Sequence, residues 1–142
     1  MKLHKTEIAK RQIETAIDLF LAGKDYLSVV TLSGAGEEIL GQLLNRDSQE
    51  SMVDHLKKLD KRLSGGREFK VVNEEINGFR NSLKHANDEN EDEIDVAEGQ
   101  MHAIAMLIRS LSNYFKVKGK LSNKMEQFYQ WLEEKRPDLF KP

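Results

Sequence analysis

The chain holds only two prolines, Pro137 and Pro142, so no residue before position 137 breaks a helix by ring geometry. Through that length apolar residues recur at intervals of three and four, and no stretch shows the strict alternation of a half-buried strand. The pattern predicts an all-α protein. A first helix is expected over about Lys5 to Ala22, with Ile8, Ile13, Ala16, Ile17, Phe20 and Leu21 as its stripe and Gly23 as its stop. A second, from about Asp25 to Asn45, leaves few polar positions and is expected to be the central, most buried helix.

A weaker third stripe, Met52, Leu56, Leu59 and Leu63, spans about Gln49 to Leu63 and runs into Gly65-Gly66. The fourth, from about Glu68 to Ala86, uses Phe69, Val72, Ile76, Phe79 and Leu83. After a polar segment, a fifth helix over about Asp95 to Val117 repeats Ala97, Met101, Ile104, Ile108, Leu111 and Phe115, with Gly119 as its stop. A sixth, about Ser122 to Lys135, carries Met125, Phe128 and Leu132 behind the caps Ser122 and Asn123. The economical architecture is an up-and-down helical bundle of four long helices plus one or two shorter ones, a single domain over residues 1–142. Leu19, Leu21, Met106 and Leu107 widen the stripes beyond a simple seam, and a homodimer interface would use them.

Composition removes several classes of function. The absence of cysteine excludes disulfides, thiolate metal sites and cysteine nucleophiles. The first residues lead into mixed polar and apolar sequence with no secretion-signal core, and no run approaches membrane-spanning length, so a cytoplasmic protein without membrane contact is expected. A formal net charge of -2 argues against a general grip on nucleic acid, so any RNA site has to be local.

One local site stands out. Arg80-Asn81-Ser82-Leu83-Lys84-His85 gathers a permanent cation, a carboxamide, a second cation and an imidazole. Arg can grip two phosphate oxygens at once, Lys adds a mobile charge, and His exchanges a proton near neutral pH. That combination suits phosphodiester chemistry without a metal. On a regular helix Arg80 sits at the flank of the apolar stripe beside Asn73, Asn77 and Lys84, and His85 lies about 140° away from it. A curled Arg side chain, a bend near Asn87 or a second copy of the helix across a twofold axis would each bring the two together.

Arg80, four intervening residues and His85, with Asn81 directly after the Arg, resemble the R-x4-6-H motif of the HEPN superfamily, all-helical domains of toxin, antiphage and RNA-processing systems. Thr31-Leu32-Ser33-Gly34-Ala35-Gly36-Glu37-Glu38-Ile39-Leu40 is similar to the small-residue, acid-bearing helix that precedes the motif helix in that superfamily. The resemblance covers about residues 5 to 117. It implies a metal-independent endoribonuclease, in a toxin-antitoxin or antiphage defence system, that works as a dimer and cuts RNA by attack of the 2′-hydroxyl on the adjacent phosphate. Arg80 would then hold the scissile phosphate, His85 would act as general acid and base, and Asn81 would orient one of them. Lys84 suits neighbouring backbone phosphates on chemical grounds. No cofactor or metal is implied, and a neutralising or effector protein partner is compatible with the family. The alternative is a non-catalytic HEPN-like module that dimerises and binds a protein or nucleic acid.

Other features have plainer readings. The acids Asp88, Glu89, Glu91, Asp92, Glu93 and Asp95 lack the glycine and spacing of a calcium loop and suit the dipole at the start of the fifth helix, though they would repel RNA. Gly34, Gly36 and Gly41 inside an apolar helix point to close helix packing. Glu37 and Glu75 are ion-pair partners for Arg80, with simple exposure the default for Glu37 and Glu38. His4 is expected in a frayed end and His102 at the edge of the core. Lys116, Lys118, Lys120 and Lys124 form a basic cluster that reads first as a solvated helix end.

Overall fold

The structure is a computed structural model that describes the backbone of residues 1–64 and 69–140 and the side chains of those residues outside 63–73 and 140. Among the described residues the chain is all-helical, with no strand. The helices are α1 (Lys5–Leu21), α2 (Tyr26–Arg46), α3 (Met52–Ser64), α4 (Phe69–Ser82), α5 (Gly99–Lys118) and α6 (Asn123–Lys135), with short 3-10 turns at Glu89–Glu91 and Pro137–Phe140. None of them is long and apolar enough to cross a membrane. The expected Gly65-Gly66 stop and the start near Glu68 lie outside the described residues, as do the side chains of Leu63, Phe69, Val72 and Asn73.

Local chemistry sets most helix ends. His4, far from fraying, caps α1 by accepting a hydrogen bond from Thr6 N at 3.0 Å. Asp25 and Ser122 accept in the same way at the starts of α2 and α6. Ser51 and Asp54 form a reciprocal box at the start of α3, with Ser51 N donating to Asp54 Oδ2 and Asp54 N to Ser51 Oγ, at 3.1 and 3.2 Å. Gly119 ends α5 at φ +78°, a left-handed position that favours glycine, and its N–H donates to Phe115 O.

α2 is the central helix, packed along α5 on one side and α1 on the other. The core joins Ile13, Ile17 and Phe20 of α1 and Val29, Val30 and Leu40 of α2 to Ile104, Leu107 and Leu111 of α5 and Met125, Phe128 and Leu132 of α6. Phe20 anchors the end where α1 meets α6, with edge-to-face contacts to Phe128 and Trp131 at centroid distances of 5.5 and 4.8 Å.

Three expectations change. The buried face of α5 keeps Ile104 and Leu111 of the expected stripe, with Ile108 packed beside them, but leaves Met101 and Phe115 exposed and takes in Met106 and Leu107. α5 contacts α1, α2 and α3, so it buries a broad sector in place of one seam. The apolar surplus assigned to a homodimer interface is therefore largely spent inside the chain, leaving Leu21 exposed and Leu19 partly buried against the core. Second, α5 starts at Gly99 with no acid in its first turn, so the run from Asp88 to Asp95 does not sit on that helix. It is an exposed link in which Asp88 Oδ1 accepts from Asn90 N and Asp95 Oδ1 from Ala97 N. Third, α4 stops at Ser82 and not near Ala86. The Ser82 hydroxyl donates to the Phe79 carbonyl at 2.7 Å, and the N–H groups of Leu83 and Lys84 donate to the i-3 carbonyls of Arg80 and Asn81, a tighter last turn at the helix end.

Candidate phosphate-binding cleft

The polar flank of α4 faces inward. Asn77 is buried, and the Arg80 side chain is only 10% exposed. Arg80 reaches α2, where the Glu37 side chain is 2% exposed in a helix of otherwise small and apolar buried residues. An arginine from α5, Arg109, approaches the same carboxylate, and this interaction is the closer of the two. Arg109 Nη2 lies 2.5 Å from Glu37 Oε2, and Arg80 Nη1 lies 3.9 Å from that same oxygen. Glu37, expected at the surface, is thus the charged centre of the bundle.

α4 holds Arg109 as well. Its Nη1 donates to the Ile76 carbonyl at 2.9 Å and its Nη2 to Asn77 Oδ1 at 2.7 Å. One turn further along α5, Asn113 donates to the Glu37 carbonyl at 3.1 Å and accepts from Met52 N, the first residue of α3, at 2.8 Å. Arg109 and Asn113 therefore tie α2, α3 and α4 to one face of α5. Burial pushes the Glu37 carboxyl above the usual carboxylate range, opposed by the charges of Arg109 and then Arg80. Burial likewise pulls Arg109 down, offset by Glu37, and its guanidinium stays charged. One carboxylate against two guanidiniums leaves a net positive charge in a poorly hydrated place, and Nε of both arginines and Glu37 Oε2 itself are buried without a well-aligned hydrogen bond.

Above this centre opens a cleft of about 380 Å³ between α2, α3 and α4. Arg80 and Asn77 form part of its floor, with Asn81 and Lys84 along the α4 wall and Lys57 on the α3 wall. Acids stand there too: Glu38, exposed, lies 4.0 Å from Lys84 Nζ, and Asp54 is engaged in the α3 cap and by Asn45 Nδ2 at 2.6 Å. Three of the four residues singled out from the motif, Arg80, Asn81 and Lys84, thus share one cleft. His85 does not line it; it is exposed on the link beyond α4, because the helix ends three residues earlier.

Arg109 and Asn113 were missed at the level of sequence. The available signal was reciprocal: α2 and α5 are the two most apolar long helices, and within their apolar runs α2 carries the acidic pair Glu37-Glu38 and α5 the lone cation Arg109. Of the other groups weighed, His102 stacks face to face on Phe79 at 3.8 Å, next to Arg80. Lys116 donates to the Glu50 carbonyl at 2.9 Å and Lys124 pairs with Asp18 at 2.6 Å, so half of the basic cluster is committed to structure. Among the described residues no group of three His, Asp or Glu side chains is placed to hold a metal ion. No family model matches the chain, and neither a curated protein nor a solved structure matches it.

Proposed function

We propose that this chain is a HEPN-like endoribonuclease that cleaves RNA without a metal, in a toxin-antitoxin or antiphage setting, with the cleft above Glu37 as its phosphate-binding site. One observation carries the reading: Arg80, Asn81 and Lys84 line a single open cleft over a buried centre with more positive than negative charge. An RNA phosphate entering the cleft meets Arg80 at the floor and Lys84 at the rim, and completes the charge balance that Glu37 alone leaves unfinished. Attack of the 2′-hydroxyl on the adjacent phosphorus gives a 2′,3′-cyclic phosphate and expels the 5′-oxygen of the next nucleotide. An imidazole can take the proton from the first oxygen and return one to the second, which is the role assigned to His85. His85 is exposed and outside the cleft of its own chain, so a homodimer that shares the cleft is part of the proposal.

A second reading, a non-catalytic helical module that binds a protein or nucleic acid, is favoured by that same placement of His85 away from Arg80. The test is cleavage of mixed RNA in EDTA by wild type beside His85→Ala, with product ends identified. Cutting by the wild type alone, leaving cyclic phosphate ends, supports the ribonuclease. A folded protein that cuts no RNA supports the binding module.

A further inference from the structure

We infer that Arg109 is a positioning residue for Arg80: by holding Glu37 itself, it keeps the Arg80 guanidinium from closing onto that carboxylate and leaves it available to a phosphate in the cleft. The inference rests on the proposed phosphate site. Both arginines address one oxygen, Glu37 Oε2, and Arg109 occupies it at 2.5 Å while Arg80 stands off at 3.9 Å. The stand-off exceeds hydrogen-bond length, so Arg80 interacts with Glu37 through space and not through a shared proton.

The arrangement is built to persist. Arg109 cannot swing away, because its two terminal nitrogens also hold the Ile76 carbonyl and Asn77 Oδ1 on α4. Glu37 cannot follow Arg80, because Asn113 grips its backbone carbonyl and its side chain is buried. Arg80 has a buried Nε with no hydrogen bond, so at least one of its donors is not committed to a fixed partner. A guanidinium in this state binds an anion without first breaking a hydrogen-bonded contact to Glu37, which lowers the free energy required for binding. Without Arg109, the same carboxylate would be the nearest strong acceptor for Arg80, and a bidentate Arg–carboxylate pair is the preferred geometry for the two groups.

The test measures binding of a 2′-O-methyl RNA oligonucleotide, which lacks the attacking hydroxyl, by fluorescence anisotropy at fixed salt. The expected result is that Arg109→Met weakens binding about tenfold or more, the range of a lost charge-assisted hydrogen bond. Adding Glu37→Gln, which removes the competing carboxylate, should bring affinity back toward wild type. Arg109→Lys, which keeps the charge with fewer contacts, should fall between and serves where Arg109→Met does not fold. A readout without RNA is hydrogen exchange at Arg80 Nε–Hε by NMR, which should slow in Arg109→Met and recover in the double variant. If the wild type binds and the double variant is as weak as Arg109→Met, or Arg109→Met binds like the wild type, the inference is overturned while the phosphate site stands. A wild type that does not bind the oligonucleotide removes the phosphate site and with it this role, whereas unchanged Arg80 exchange in Arg109→Met refutes the competition whatever RNA does.

Discussion

Gly34 of α2 and the methylenes of Arg80 occupy complementary space: a Cβ built on Gly34 would lie 2.5 Å from Arg80 Cδ and 3.0 Å from Cγ. The glycine is what allows the Arg80 side chain to lie flat against α2 and reach Glu37. Gly34→Ala should therefore displace Arg80 and reduce the proposed RNA cleavage by about tenfold or more, a barrier change of roughly 1.4 kcal/mol. Circular dichroism should show the helical content retained, which separates this loss from unfolding.

The other glycines of α2 should respond differently. At Gly36 an added Cβ meets Ile13 Cγ1 at 2.7 Å and the Ala9 carbonyl at 3.1 Å, a backbone neighbour that cannot swing aside. Gly36→Ala should destabilise by ~1–3 kcal/mol through overpacking, less what the better helix former returns. At Gly41 the nearest atoms, Asn113 Nδ2 and Ser51 Cβ, stand at 3.5 Å, ordinary contact. Gly41→Ala should be neutral or stabilising by up to ~1 kcal/mol. Urea unfolding of the two variants side by side checks the order.

Removing the Glu37 carboxylate leaves two buried guanidiniums facing each other. Glu37→Ala should cost about 3–5 kcal/mol, the range for breaking a buried ion pair from one side. Chemical denaturation at neutral pH measures it, and a loss below about 1 kcal/mol would contradict the buried charge centre.

The same residue gives stability a pH dependence of definite sign. The Glu37 carboxyl titrates above its unfolded value because burial disfavours the charge. Between the two values the folded state binds more protons, so this contribution is full below the ordinary glutamate range and is lost as pH rises through the folded value. Glu37→Gln cannot titrate, so the stability of wild type minus variant should decrease on going from pH 4 to pH 7. Melting temperatures across that range test the slope.

His85 is exposed and outside α4. His85→Ala should leave the melting temperature unchanged while abolishing the proposed cleavage. Ser51→Ala should do the reverse, costing ~1 kcal/mol by opening the α3 cap, with a smaller effect on chemistry.

The periodicity of apolar residues and the late prolines determined the helical class and the near-correct spans of α1, α2 and α6, because helix formation in those segments follows one dominant stripe and a local cap such as Ser122. It also brought Arg80, Asn81 and Lys84 forward, since their chemistry is carried by residue type. What only the tertiary structure decided is where charge is buried. Glu37 and Arg109 are separated by more than seventy positions, and nothing local to either distinguishes a buried partner from a solvated one. The packing of α5 against several helices left Met101 and Phe115 outside its buried face, and α4 ended at Ser82, before His85. Each of these is a contest between a local preference and a contact made across the fold, and the winner depends on which neighbours the fold supplies.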